Sequence, residues 1–78
     1  MTPSAWAVLL WNDPVNLMSY VVRTLVRVLS ISEEEAKRLM LLAHTHGKTA
    51  VFSGDREECE VIAVQLMSAS LWATVRHG

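Results

Sequence analysis

Apolar and polar positions follow two different rhythms along this chain, and the switches between them mark six elements. Residues 5–11, Ala-Trp-Ala-Val-Leu-Leu-Trp, are continuously apolar and rich in large side chains. Such a short run suits a strand buried on both faces or set in the middle of a small sheet. Asn12-Asp13-Pro14 ends it, since Asn and Asp bond their own backbone and Pro fixes φ. Met18, Val21, Val22, Leu25, Val26 and Leu29 then recur at helical spacing and form one apolar face. Asn16 is the expected N-cap of this helix. Arg23 and Arg27 lie off the stripe, and Ser30 breaks the run.

Ser32-Glu33-Glu34-Glu35 reads as a capping box, in which Ser32 accepts the Glu35 amide and Glu35 reaches back to the Ser32 amide. Acids in the first turn also suit the positive end of the helix dipole. Ala36, Leu39, Met40, Leu42 and Ala43 form the next stripe, which predicts a helix running to about His46, with Gly47 as its left-handed stop. Residues 48–53 read as a second strand, turned by Gly54. Asp55 caps a third helix with Glu58 at its third position, and Cys59, Ile62, Ala63, Leu66, Met67 and Ser70 supply its apolar face. Residues 71–75 predict a short last strand and 76–78 a frayed end. The order β-α-α-β-α-β implies an α+β fold: a three-stranded antiparallel sheet with three helices on one face.

At 78 residues the chain is expected to form a single domain over 1–78, and its 51% apolar content is enough for one core. The net charge of -1 and the lack of a basic patch argue against a nucleic-acid partner. One cysteine, Cys59, excludes an internal disulfide and a Cys-rich zinc site, and fits a reducing compartment. No apolar run approaches the ~20 residues a bilayer span needs, and no signal peptide is recognisable. The expected location is cytoplasmic, with no membrane partner. Only Thr2-Pro3-Ser4 follow Met1 ahead of the first predicted strand, so any longer N-terminal tail is expected to be missing from the chain.

Few residues offer catalytic chemistry. His44 and His46, two apart on a helix, point about 200° from each other and cannot share a metal, which needs a spacing of i and i+4. No metal or other cofactor is expected. A Cys59/His44 pair is the one enzymatic reading, and it needs an exposed, activated thiol within reach of the imidazole. Cys59 lies on an apolar helix stripe, where cysteine behaves as a small core residue. No phosphate loop, nucleophile elbow or HExxH occurs, so the chain is not expected to be an enzyme. Met18, Met40 and Met67 suit either core gaps or a soft pocket wall.

Two stretches resemble the ClpS family. One is Trp11-Asn12-Asp13-Pro14-Val15-Asn16-Leu17-Met18-Ser19-Tyr20-Val21-Val22. The other runs through Ala36, Leu39, Met40, Ala43, His44 and Gly47. The family pattern is a strand ending in Asn-Asp-Asp, a Thr-Pro-Met helix start, and a later Ala-x-x-Leu-Met-x-x-Val-His-x-x-Gly. The Asn-Asp-Pro form and the ending Leu71-Trp72-Ala73-Thr74 look like the actinobacterial branch. The resemblance covers nearly the whole chain. It implies a small α+β domain like the C-terminal domain of a ribosomal stalk protein, in agreement with the order read above. It also implies an adaptor that binds N-degron proteins starting with Leu, Phe, Tyr or Trp and delivers them to a Clp AAA+ unfoldase of the ClpA or ClpC type.

By position, the resemblance makes Asn12, Asp13 and His44 the groups that bind the α-amino group. Asn16, Leu17, Met18, Val21, Met40, Ala43 and Leu71 become the hydrophobic pocket, with Met18 a gatekeeper against β-branched first residues. Glu57 on the third helix matches an unfoldase contact. Pro14 stands where the family has a second Asp, Asn16-Leu17 where it has Thr-Pro, Ala43 where it has Val, and Ile62 where the third helix has Lys. The smaller Ala43 implies a roomier pocket that favours aromatic guests. The family's delivery function uses an N-terminal extension, so the expected lack of one bears on delivery and not on substrate binding. The rival reading is a non-enzymatic docking module on the same scaffold, indifferent to peptide end groups.

Overall fold

The structure is a computed structural model and describes residues 5–78. Thr2-Pro3-Ser4, expected ahead of the first strand, lie outside the described residues. The elements run β1 (Trp6–Trp11), α1 (Met18–Leu29), α2 (Glu33–His46), β2 (Lys48–Gly54), α3 (Arg56–Ser68) and β3 (Ala73–His77). The sheet is antiparallel, in the order β2-β1-β3. The central place of β1 explains its unbroken apolar run. Val8 and Leu10 face the core, and Leu9 is buried between its partners Ala50 and Thr74. Between β1 and β2, Val8 pairs with Phe52 and Leu9 with Ala50, so Val51 is the extra residue of a bulge.

The helices cover one face of the sheet. α2 lies over β2, α3 lies over β1 and β3, and α1 packs against α2 and α3. Buried contributions come from Val21, Val22 and Leu25 of α1, Ala36, Leu39 and Ala43 of α2, and Cys59, Ala63 and Leu66 of α3. Thr24, between the apolar positions of α1, is also buried, and its hydroxyl donates to the Tyr20 carbonyl at 2.9 Å. That back-bond satisfies a hydroxyl the core would otherwise strand.

Several local expectations need correction. The N-cap of α1 is Leu17, without a side-chain cap bond, because the Asn16 amide group is engaged elsewhere. At α2 only half the capping box forms. Ser32 Oγ accepts the Glu35 amide at 3.0 Å, but the Glu35 carboxylate turns to the Arg38 guanidinium, with contacts of 2.9 and 2.6 Å. An arginine one turn on competes better for that carboxylate than a neutral backbone amide does. At α3, where no such cation competes for Glu58, the box is complete: the Glu58 amide donates to Asp55 at 2.8 Å and the Asp55 amide to Glu58 at 3.3 Å. Gly47 ends α2 with φ +88°, which favours glycine.

The last strand is Ala73–His77, later than the expected 71–75. Leu71 is apolar because it is buried beneath the sheet end, after a left-handed Ser70. Arg76 pairs with Ala7 and His77 with Trp6, so the end expected to fray extends the sheet. The His77 ring stacks on Trp6 at 4.5 Å between centroids, and the Arg56 guanidinium lies 5.3 Å over the same indole.

Candidate functional site

The β1–α1 joint is pinned by backbone bonds before any side chain is considered. The Trp11 amide donates to the Trp72 carbonyl at 2.9 Å, and the Asn12 amide to the Gly47 carbonyl at 2.8 Å. Gly47 therefore both stops α2 and holds Asn12 in place. The next residue, Asp13, folds the joint around its carboxylate. Its Oδ1 accepts the amides of Val15 at 2.8 Å and Asn16 at 2.9 Å, an Asx-type turn. Its Oδ2 accepts the Asn16 side-chain amide at 2.7 Å. Partial burial works to raise the Asp13 pKa. The bonds from the Asn16 side chain, the Asn16 amide and the Val15 amide outweigh it and hold the carboxyl below its ordinary value. Asp13 is thus a fixed anion.

His44, in the last turn of α2, approaches from the other side. Its Nδ1 stands 3.4 Å from Asn12 Oδ1. Below these polar groups lies a narrow hollow, open at its mouth. Its lining includes Asn12, Asp13, Asn16 and His44 together with Met18, Val21, Met40 and Ala43. Val21 and Ala43 are buried, whereas Met18 is 52% exposed.

Two residues expected in the wall are elsewhere. Leu17 is 74% exposed, pointing to water from the cap position, and Leu71 is 2% exposed in the core. Leu71 instead borders a separate surface depression with Trp11, Met67 and Trp72. Leu10 and Trp11, absent from the expected set, do line the hollow. They were hidden in the strand pattern, although their place directly before Asn12 was the available signal. Met18 and Met40 also border a groove on their far side, with Val22, Arg23, Lys37 and Leu41. The methionine pair is therefore a thin wall with open space behind it.

Glu57 is exposed on the first turn of α3, beside exposed Val61 and Val64, while Ile62 packs half-buried against the core. Cys59 is fully buried in the core and is not among the residues lining the hollow with His44. Burial, with Asp55 and Glu58 nearby, pushes its thiol pKa up despite a bond with the Gly54 backbone. Among the described residues no three His, Cys, Asp or Glu side chains converge as a metal site. No helix there is long and apolar enough to cross a membrane.

A fixed carboxylate, a carboxamide and an imidazole around the mouth of an apolar hollow make a receptor for a small cation with a greasy neighbour. Residues 1–74 match the family model of the ATP-dependent Clp protease adaptor protein ClpS. The Clp protease adapter ClpS of Mycobacterium tuberculosis is 45% identical over 77 residues, covering 99% of this chain and 76% of that protein. Its counterpart in Corynebacterium diphtheriae is 44% identical over 73 residues, covering 94% and 65%. The fold is also that of Agrobacterium tumefaciens ClpS2, solved bound to L-phenylalaninamide. That likeness has a TM-score of 0.81 and 23% identity, over 99% of this chain and 100% of the other. The chain belongs to the ClpS family of adaptors of the ATP-dependent Clp protease.

Proposed function

We propose that the hollow captures the first residue of N-degron proteins, taking the free α-amino group at Asn12, Asp13 and His44 and a large apolar side chain between Met18, Val21, Met40 and Ala43. The single observation that carries this reading is the meeting of those three polar side chains, from two separate elements, over one apolar hollow. An ammonium offers three donors and no acceptor. Asn carbonyl, Asp carboxylate and neutral imidazole can all accept. Phenylalaninamide, the ligand of the Agrobacterium relative, joins a free amine to a benzyl group, the two features this site is suited to.

The energies favour a joint requirement. Each charge-assisted bond nets about 1.5–3 kcal/mol, and burial of a Leu- or Phe-sized side chain contributes about 1.5–3 kcal/mol. Three such bonds at the middle of that range give about 7 kcal/mol, short of the roughly 8 kcal/mol of micromolar binding, and the buried side chain carries the sum to about 9 kcal/mol. Recognition thus demands a free terminus and a large apolar residue at once.

The chain then acts by holding and handing over, in the cytoplasm, and makes or breaks no bond. Delivery goes to a Clp AAA+ unfoldase through the outer face of α3, where Glu57 stands beside Val61 and Val64. The test is calorimetric titration with peptides that differ only at residue one. Leu, Phe, Tyr and Trp peptides bind and Ala, Asp and Lys peptides do not. Equal binding of all seven would end the proposal.

A further inference from the structure

The Asn16 side chain is half-buried, and its amide nitrogen donates twice, to Asp13 Oδ2 at 2.7 Å and to the Ser70 carbonyl at 2.8 Å. An amide nitrogen carries two protons, so both are committed. Its orientation follows from its partners: turned over, the amide oxygen would face a carboxylate and a carbonyl with no proton between them. Ser70 lies in the α3–β3 turn, 54 positions away, with left-handed φ of 70°. Its own amide donates to the Met67 carbonyl at 2.9 Å, so the turn that presents the carbonyl is itself fixed.

Asp13 Oδ1 is held by two backbone amides of its own turn, but among the described residues Oδ2 is held by Asn16 alone. A carboxylate has about four acceptor directions. Three are used here, and the fourth, on Oδ2, is the one left for a ligand.

We propose that Asn16 is a positioning residue: by tying Asp13 Oδ2 to the α3–β3 turn it fixes the direction of the last free acceptor of Asp13, and so sets affinity for an ammonium it does not itself touch. The inference rests on the amino-group site proposed above. It accounts for the residue type, since a hydroxyl has one proton and serves only one of the two acceptors. An aspartate would set a second carboxylate against the first. The titratable group facing Asp13 from another element is His44 of α2. The other residues lining the hollow from β1, α1 and α2 carry no charge, and neither do residues 69–72 of the α3–β3 turn.

The test titrates a Leu-starting peptide, with free or acetylated amine, into the unaltered chain, Asn16→Ala and Asn16→Thr, from about pH 3 to 7. In Asn16→Ala the free-amine peptide is expected to bind about tenfold more weakly, as for one lost bond to a charged group. The lower acid limb of binding, where Asp13 takes up its proton, should also move to higher pH, because Asp13 loses a bond that favours its charged form. Asn16→Thr, with one donor, should fall between and covers the case that the alanine variant folds poorly. The relative affinity for Leu and Phe peptides should not change. An unmoved acid limb with an altered Leu/Phe ratio would make Asn16 a pocket wall and overturn the proposal. Unchanged affinity in both variants would overturn it as well. If the unaltered chain binds free and acetylated peptides alike, the amino-group site itself fails, and the role of Asn16 with it.

Discussion

His44 Nδ1 faces Asn12 Oδ1 at 3.4 Å across the mouth of the hollow, joining residues 32 positions apart. With the proton on Nδ1, the imidazole donates to Asn12 and leaves Nε2 as an acceptor. With the proton on Nε2, two acceptors confront each other and an intervening donor would satisfy both. A neutral ring therefore always keeps one acceptor nitrogen. A doubly protonated ring offers none and adds a positive charge beside the place proposed for an ammonium.

Acetylation of the peptide amine follows directly. It replaces a cation with three donors by a neutral amide with one. A Leu- or Phe-starting peptide should lose at least about 100-fold in affinity, the cost of roughly two charge-assisted bonds. Competition against a fluorescent Phe-starting peptide measures this. Acetylated and free peptides competing equally would count against the polar half of the site.

Acid should weaken binding in two separable stages. The first comes from protonation of the His44 imidazole, which removes its acceptor and adds a positive charge. Asp13 is not responsible there, because its bonds from Asn16 and Val15 hold the carboxyl below the ordinary value despite the opposing effect of burial. Its contribution to stability has the matching sign. A carboxyl with a lowered folded-state pKa stabilises fully above its unfolded value, and the effect is lost as pH falls through the folded value. The melting-temperature gap between the unaltered chain and Asp13→Asn should be widest near neutrality and close in strong acid. Flat peptide affinity from about pH 5 to 8 would remove His44 from the acceptor set.

The six elements and their order are legible in the sequence because the strand and helix rhythms are strong. Val8 and Leu10 in a continuous run, and Leu39 and Ala43 at helical spacing, are buried where the pattern puts them. What the pattern misses are side chains with more than one available partner. Asn16 is as good a cap as any by residue type, yet its amide finds a carboxylate and a distant carbonyl. Glu35 fits a capping box, yet Arg38 is the stronger partner. Leu71 looks like strand and is core, because the left-handed Ser70 has no local sequence signal such as glycine. Arg76 and His77 look like a loose end but pair with β1, where Trp6 supplies a surface for the histidine ring. The polar part of the candidate site was readable from the joint and His44. Its apolar wall was readable only where residues sit on helix stripes.

Cys59 should be silent toward thiol reagents in the folded chain. It is fully buried, and its pKa is raised chiefly by that burial. The reactive species is the thiolate, so both effects act in the same direction. Labelling at neutral pH should be slow and should accelerate with denaturant along with unfolding. Fast labelling of the native chain, with loss of an activity, would revive the thiol-enzyme reading.

Met18 tests the apolar half of the site. Its side chain is half-exposed at the hollow, and with Met40 it separates that hollow from the groove beside Arg23 and Lys37. A flexible thioether in a thin wall adapts to Leu and to flat aromatic guests, but it crowds a guest that branches at its first side-chain carbon. Met18→Ala removes that crowding, so Ile- and Val-starting peptides should gain affinity. Leu-starting peptides should lose some, because part of their covering wall is gone. The loss should be of order 1 kcal/mol, about that of one or two buried methylenes. Since Met18 is exposed and outside the buried core, the melting temperature should barely move. The ratio of Ile to Leu affinity is the deciding measurement. An unchanged ratio in a well-folded variant would mean that Met18 merely borders the hollow and that discrimination against branched residues resides deeper, at Val21 and Ala43.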